Sequence, residues 1–254
     1  MDLPVNRFKA GLREGRPQIG IWVSIPGSGT AEALAGCGFD WMVIDSEHTA
    51  LDLATMQSML QAVEPYPTSA IVRPGWNDAT EIKRILDLGA LSIIIPYVQT
   101  AEEARAAVSA VRYPPEGLRG IAGTSRASRF GAIPDYITRA NAEICLVVQI
   151  ESAQGLDNIE AIAAVEGVDG LFIGPADLAA SLGFPGQAGH PEVKARIFDA
   201  IRRIRAAGKP AGILSLDPVF TAEVIAAGTT FTAVDHDVAL LLRGANALVA
   251  KWKG

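Results

Sequence analysis

Eight short apolar runs rich in β-branched residues recur along this chain, at 18–24, 41–45, 70–73, 91–96, 144–151, 170–173, 211–214 and 231–235. Between them lie segments with helical spacing, at 30–36, 53–63, 79–88, 102–111 and 192–207 among others. Continuous apolar strands alternating with helices predict a parallel sheet buried on both faces. Eight such units, with no linker or break in composition, favour closure into a single (β/α)8 TIM barrel of the α/β class spanning 1–254. About 250 residues is the usual size of such a barrel. A doubly wound open sheet is the runner-up, but no Gly-x-Gly-x-x-Gly follows the first run and no Gly-Lys-Ser/Thr loop occurs. Several helical segments end in glycine before the next strand, at 35–40, 87–90, 206–210 and 226–229, as helix C-caps do.

The net charge of −6 comes without a block of basic residues, so nucleic acid is not an expected partner. No apolar run approaches the ~20 residues needed to cross a bilayer, and the first residues do not resemble a secretion signal. A cytoplasmic protein acting on small molecules, without a membrane partner, is expected. Cys37 and Cys145 stand alone in apolar stretches and read as two reduced, buried thiols. The longest irregular stretch, 113–130, carries Arg119, Arg126 and Arg129; it reads either as a solvated connection or as a subunit contact or anion site.

Barrel enzymes carry their reactive groups at the C-terminal ends of the strands. Here those ends hold Asp45, Glu47 and His48 after the second run, Arg73 after the third, Gln149 and Glu151 in the fifth, and Gly174 to Asp177 after the sixth. Alternation puts Gln149 and Glu151 on one side of their strand, facing the mouth. An inward carboxylate needs a cation, and Asp177 at the next tip supplies a second oxygen ligand. Two carboxylates without Cys or His at ligand spacing suit a hard divalent ion such as Mg²⁺ or Mn²⁺, with other ions such as Co²⁺ as alternatives. The plainer reading pairs Glu151 with a barrel Arg or Lys and makes Asp177 the N-cap of a helix at 178–181. His48 is a candidate general base, with Asp45 as the acid nearest in sequence. Arg73 offers a fixed fork for a carboxylate or a developing enolate oxygen. His190, before Pro191, reads as surface; His236, in Asp235-His236-Asp237, is a rival ligand or base.

Five motifs in order, Asp-Ser-Glu-His-Thr, Val-Arg-Pro-Gly-Trp-Asn-Asp, Arg-Tyr-Pro-Pro-Glu-Gly-Leu-Arg-Gly, Val-Gln-Ile-Glu-Ser and Phe-Ile-Gly-Pro-Ala-Asp-Leu, run nearly end to end. Together they give a chain that resembles the HpcH/HpaI aldolases, the class II pyruvate aldolases typified by 4-hydroxy-2-oxoheptanedioate aldolase. The resemblance implies a barrel of the phosphoenolpyruvate/pyruvate-domain type. It implies reversible cleavage of 4-hydroxy-2-oxo acids, through an enolate, to an aldehyde and pyruvate or a close 2-oxo acid such as hydroxypyruvate. In site terms it implies that Glu151 and Asp177 bind the metal and that Gln149, with Gly174, Pro175, Ala176 and Asp177, holds the pyruvate unit. Arg73 then stabilises the transition state and His48 is the base, with Asp87 as its acidic partner. It further implies a homo-oligomer, commonly a hexamer, with exchange of C-terminal helices, for which the apolar tail 238–249 is suited. The sequence departs from better-known members at Asp235-His236-Asp237 and at Leu-Ser-Leu-Asp-Pro, 214–218. Both border the mouth.

Two other readings are a coenzyme A thioester lyase of the citrate lyase β-subunit and malyl-CoA lyase group, and a non-catalytic barrel paralogue. The first needs a basic docking surface that no cluster clearly supplies. The second predicts a damaged site. No Lys stands at an assigned strand tip, which argues against a Schiff-base aldolase.

Overall fold

The structure, a computed structural model, describes residues 1–253. Its eight strands are β1 (Gln18–Val23), β2 (Trp41–Asp45), β3 (Ser69–Arg73), β4 (Ser92–Ile95), β5 (Cys145–Ile150), β6 (Gly170–Ile173), β7 (Ala211–Leu214) and β8 (Phe231–His236). All neighbours pair in parallel, and β8 closes onto β1. The helices in chain order are α1 (Arg7–Arg13), α2 (Ser28–Ala35), α3 (Leu53–Val63), α4 (Ala79–Asp87), α5 (Ala101–Val111), α6 (Tyr136–Glu143), α7 (Ala153–Asp157), α8 (Ile159–Ala163), α9 (Pro175–Ser181), α10 (Pro191–Ala206), α11 (Pro218–Ala226) and α12 (Asp237–Lys253). The predicted barrel is thus the observed one, and the strand boundaries shift by one residue at most.

Period-two alternation divides the core in two. Ile44, Val72, Ile93, Leu146 and Val148 point outward to the helices. Their neighbours Trp41, Val43, Ile71, Cys145, Val147 and Phe172 fill the barrel interior. Helix starts follow the side-chain chemistry of their caps. Asp52, Asp78 and Thr100 each accept a backbone N–H three residues on, and Thr100 forms a capping box with Glu103. Gly38, Gly89, Gly208 and Gly228 all have positive φ, which is what the helix-to-strand turns demand.

One expectation is corrected here. Cys145 is buried, but Cys37 is exposed beyond the end of α2, because the turn there leaves its side chain on the outer surface. In the 113–130 stretch residues 120–124 are exposed to solvent, and its three arginines are anchored within the chain. Arg119 is fully buried against the Tyr113 ring and bonds Asp87, while Arg126 and Arg129 converge on Glu64. No helix among the described residues is long and apolar enough to cross a membrane.

Candidate active site at the barrel mouth

The alternation that fills the interior also decides which polar groups meet above it. Continuing the inward set Trp41 and Val43 brings Asp45 inward; Ile71 leads to Arg73, and Cys145 and Val147 lead to Gln149 and Glu151. These residues, with His48 and Gly174 to Asp177, line one cavity of about 550 Å³.

Asp45 and Arg73 are direct register partners on β2 and β3. Arg73 Nε and Nη2 donate to the two Asp45 oxygens at 2.8 and 2.7 Å, and the guanidinium lies over the Trp22 ring at 4.8 Å. Burial raises the Asp45 pKa, but the Arg73 hydrogen bonds and charge, the Glu47 N–H and the Trp22 indole outweigh it and leave the carboxyl below its ordinary value. Arg73 Nη1 stands 2.6 Å from Glu47 Oε2, an ion pair whose angles leave that oxygen without a hydrogen bond. Burial leaves the Glu47 carboxyl raised in spite of Arg73 and His48. Of the five guanidinium protons, Asp45 takes two and Glu47 lies against a third, so Arg73 is rigidly aimed with donors to spare.

Asp45 is therefore committed to Arg73 and is not the partner of His48. Parallel pairing places the acid beside the strand neighbour, not beside the loop histidine that follows it. The carboxylate nearest His48 is Glu47, at 3.7 Å from Nε2, and the imidazole is largely exposed. Asp87 ends α4, which returns from the mouth to the opposite end of the barrel, where it accepts from Arg119 at 2.9 Å. Within one chain His48 and Asp87 do not meet.

Glu151 is 2% exposed, and among the described residues no Lys or Arg lies within ion-pair distance of it. It accepts the Tyr97 N–H at 2.8 Å and the Gln149 amide at 2.9 Å. Tyr97 holds that N–H inward with a left-handed backbone, φ 55°. Burial pushes the Glu151 pKa up to about 7; the Tyr97 bond opposes this, while Asp177 and Glu47 add to it. Asp177 is not the N-cap of its helix. That helix begins earlier, with Gly174 as N-cap and Pro175 as its first residue, which leaves the Asp177 carboxylate free in the first turn.

The donor set fits a hard divalent ion. A buried carboxylate raised by its own burial and by two neighbouring acids, plus a buried Gln149 Oε1 with no partner, calls for a cation or a donor at the same point. A Cβ at Gly174 would stand 2.1 Å from Glu151 Oε2, so glycine keeps this space open. Among the described residues no three His, Cys, Asp or Glu gather around one point. Glu151 and Asp177 alone would leave most of the coordination sphere to water or substrate, as Mg²⁺ prefers. His236 Nε2 lies 2.9 Å from Ser24 Oγ.

Residues 18–243 match the family model described as HpcH/HpaI aldolase/citrate lyase. The chain belongs to this family. It is 56% identical over 252 residues to a pyruvate aldolase of Rhizobium etli, covering 99% of each chain. It is 50% identical over 248 residues to the 4-hydroxy-2-oxo-heptane-1,7-dioate aldolase of Salmonella paratyphi B, covering 97% of this chain and 94% of that one. A family member from Burkholderia cenocepacia J2315 superposes with a TM-score of 0.95 at 38% identity, over 98% of this chain and 100% of the other.

The residues that reading the sequence left out are Trp22, Tyr97 and Glu47 in its role as second counter-ion to Arg73. Glu47 carried a signal, since it sits at a strand tip beside His48. Tyr97 acts through its backbone, so no residue-type argument could find it.

Proposed function

We propose that this protein is a divalent-metal-dependent class II aldolase. It cleaves 4-hydroxy-2-oxo acids reversibly to an aldehyde and pyruvate, or a close 2-oxo acid such as hydroxypyruvate. The observation that carries this reading is the buried, cation-less Glu151 beside Asp177, set in the same mouth as a rigidly held Arg73.

In this reading Glu151 and Asp177 hold Mg²⁺ or Mn²⁺. The bound ion would polarise the keto group of the substrate and acidify the neighbouring carbon. Gln149 and the start of α9 at Gly174, Pro175 and Ala176 hold the pyruvate carboxylate; Pro175 has no N–H and the Gly174 N–H donates to the Ile150 carbonyl, so the first-turn N–H groups of Ala176 and Asp177 are the ones left to favour an anion. His48 takes a proton from the methyl carbon, and the spare donors of Arg73 meet the oxygen on which negative charge develops. The enolate carbon then attacks the aldehyde; cleavage runs the same path in reverse.

The pairing of His48 with Asp87 requires a second subunit, because the two stand at opposite ends of one barrel. The C-terminal helix supports such an assembly. Of α12 only Asp237 is buried, and Leu241, Leu248 and Trp252 are 61%, 60% and 75% exposed. An apolar helix standing free of its own barrel suits a homo-oligomer, and the resemblance suggests a hexamer with exchanged helices.

The test is pyruvate release from 4-hydroxy-2-oxo acids by chelator-stripped protein, with and without added Mg²⁺ or Mn²⁺. Release should depend on the ion and fall by at least about 10³-fold in Glu151→Gln. Ion-independent release, or full activity in that variant, would overturn the ligand assignment.

A further inference from the structure

The seam that closes the barrel contains a fault in register. β1 pairs β8 as Gly20 with Ala233 and then as Trp22 with His236, so two steps along β1 match three along β8. Phe231 and Ala233 face the interior, in the same cluster as Trp22 and Phe172. Strict alternation would turn Asp235 inward next and His236 outward. The extra residue reverses this, as a bulge does. Asp235 instead pairs with Arg243 on α12, and His236 lines the mouth.

His236 meets a partner there that is itself fixed. Its Nε2 is 2.9 Å from Ser24 Oγ. The backbone of Ser24 is clamped by the buried Asp237, whose carboxylate accepts the N–H groups of Ser24 at 3.0 Å, Ile25 at 2.8 Å and Val238 at 2.7 Å. β8 and β1 stand across the closed ring from β4 and β5, so this pair faces the mouth from the side opposite Glu151. Leu214 on the neighbouring β7 and Val238 at the start of α12 add apolar surface beside the pair.

We infer that Ser24 and His236 form a hydroxyl-recognising subsite for the second reactant, an aldehyde carrying a hydroxyl group next to its carbonyl. This rests on the aldolase reading and names the class of aldehyde. With His236 Nε2–H donating to it, the Ser24 hydroxyl keeps its own O–H to donate and a lone pair to accept, which matches an alcohol, itself both donor and acceptor. A second carboxylate on the aldehyde is disfavoured, because Asp237 Oδ1 lies 3.7 Å from His236 Nδ1 and the cation nearest in this seam, Arg243, is taken by Asp235. A plain alkyl aldehyde would find the apolar surface but leave the polar pair unused.

The experiment compares kcat/KM for adding pyruvate to glycolaldehyde and to acetaldehyde, on metal-loaded wild type, His236→Val, Ser24→Ala and His236→Gln. The ratio of the two substrates is expected to fall roughly tenfold in His236→Val and by a smaller factor in Ser24→Ala, the size of one net hydrogen bond. His236→Gln keeps a donor and an acceptor and should recover most of the ratio. Ratios within twofold of wild type in both His236→Val and Ser24→Ala would overturn the inference, and Ser24→Ala decides alone if His236→Val does not fold. Exchange of the pyruvate methyl protons in D2O, followed by NMR without aldehyde, tests the aldolase reading separately. If wild type shows no exchange the aldolase reading fails; exchange with unchanged ratios sinks only the subsite.

Discussion

At the floor of the barrel Phe8 of α1 packs against Trp41 and Phe231, with ring centroids 5.7 and 5.6 Å away, and Asn6 beside it donates to Leu91, Ser92 and Glu143 at 2.9 Å each. At the mouth, one barrel length away, Glu151 is buried with a pKa of about 7 and Gln149 Oε1 has no partner. The same eight strands build both ends. Around Phe8 the floor collects apolar groups and, in Asn6, a polar side chain whose amide is bonded within the chain, so this cluster contributes stability. The mouth, beside self-satisfied pairs such as Asp45 with Arg73, holds Glu151 and Gln149, whose needs are met only by something from outside, so these two lower stability and provide chemistry.

That contrast is open to direct attack. Phe8→Ala should cost about 3–5 kcal/mol in urea unfolding, the price of a large aromatic in a packed core, with turnover per folded molecule unchanged. Glu151→Gln in chelator-treated protein should be at least as stable as wild type above pH 7, since it removes a buried charge. If Glu151→Gln destabilises as much as Phe8→Ala, the mouth carboxylate is structural and the division of labour is wrong.

The pH dependence sharpens the same point. Glu151 holds its proton in the folded chain up to about pH 7, above the ordinary 4.5. The folded state therefore binds more protons than the unfolded one between those values. The stability linked to this group is fully present below about 4.5 and is lost as pH rises through about 7. The loss is on the order of 3 kcal/mol in chelator-treated protein and absent from Glu151→Gln. Unfolding at a series of pH values, on both proteins, checks the sign as well as the size.

The smallest effect is expected at Gly174. A methyl group there meets Glu151 Oε2 and must displace it. Gly174→Ala should weaken Mn²⁺ binding, measured by titration calorimetry, by roughly 10–100-fold, as misplacing a metal ligand does, with little change in unfolding. Binding equal to wild type would mean that Glu151 does not need its present rotamer to hold the ion.

Much of the site was legible because strand alternation is a sequence property. Gln149 and Glu151 had to share a face, and Asp45 and Arg73 had to stand at strand tips. Alternation within one strand says nothing about which tips become neighbours. The assignment of Asp45 to Arg73 came from the β2 to β3 register, and the distance between His48 and Asp87 came from the return path of α4. The inward turn of His236 came from a bulge that no pattern of apolar residues announces, because Asp235 and His236 are equally polar.

By itself the sequence determined the number and order of strands, the helices between them and the inventory of groups at the mouth, since each depends on periodicity and local chemistry along one segment. Only the tertiary structure decided how those groups divide among partners. Hydrogen bonds and charge act between atoms a few ångströms apart, and which atoms are that close is set by register, twist and closure of the barrel.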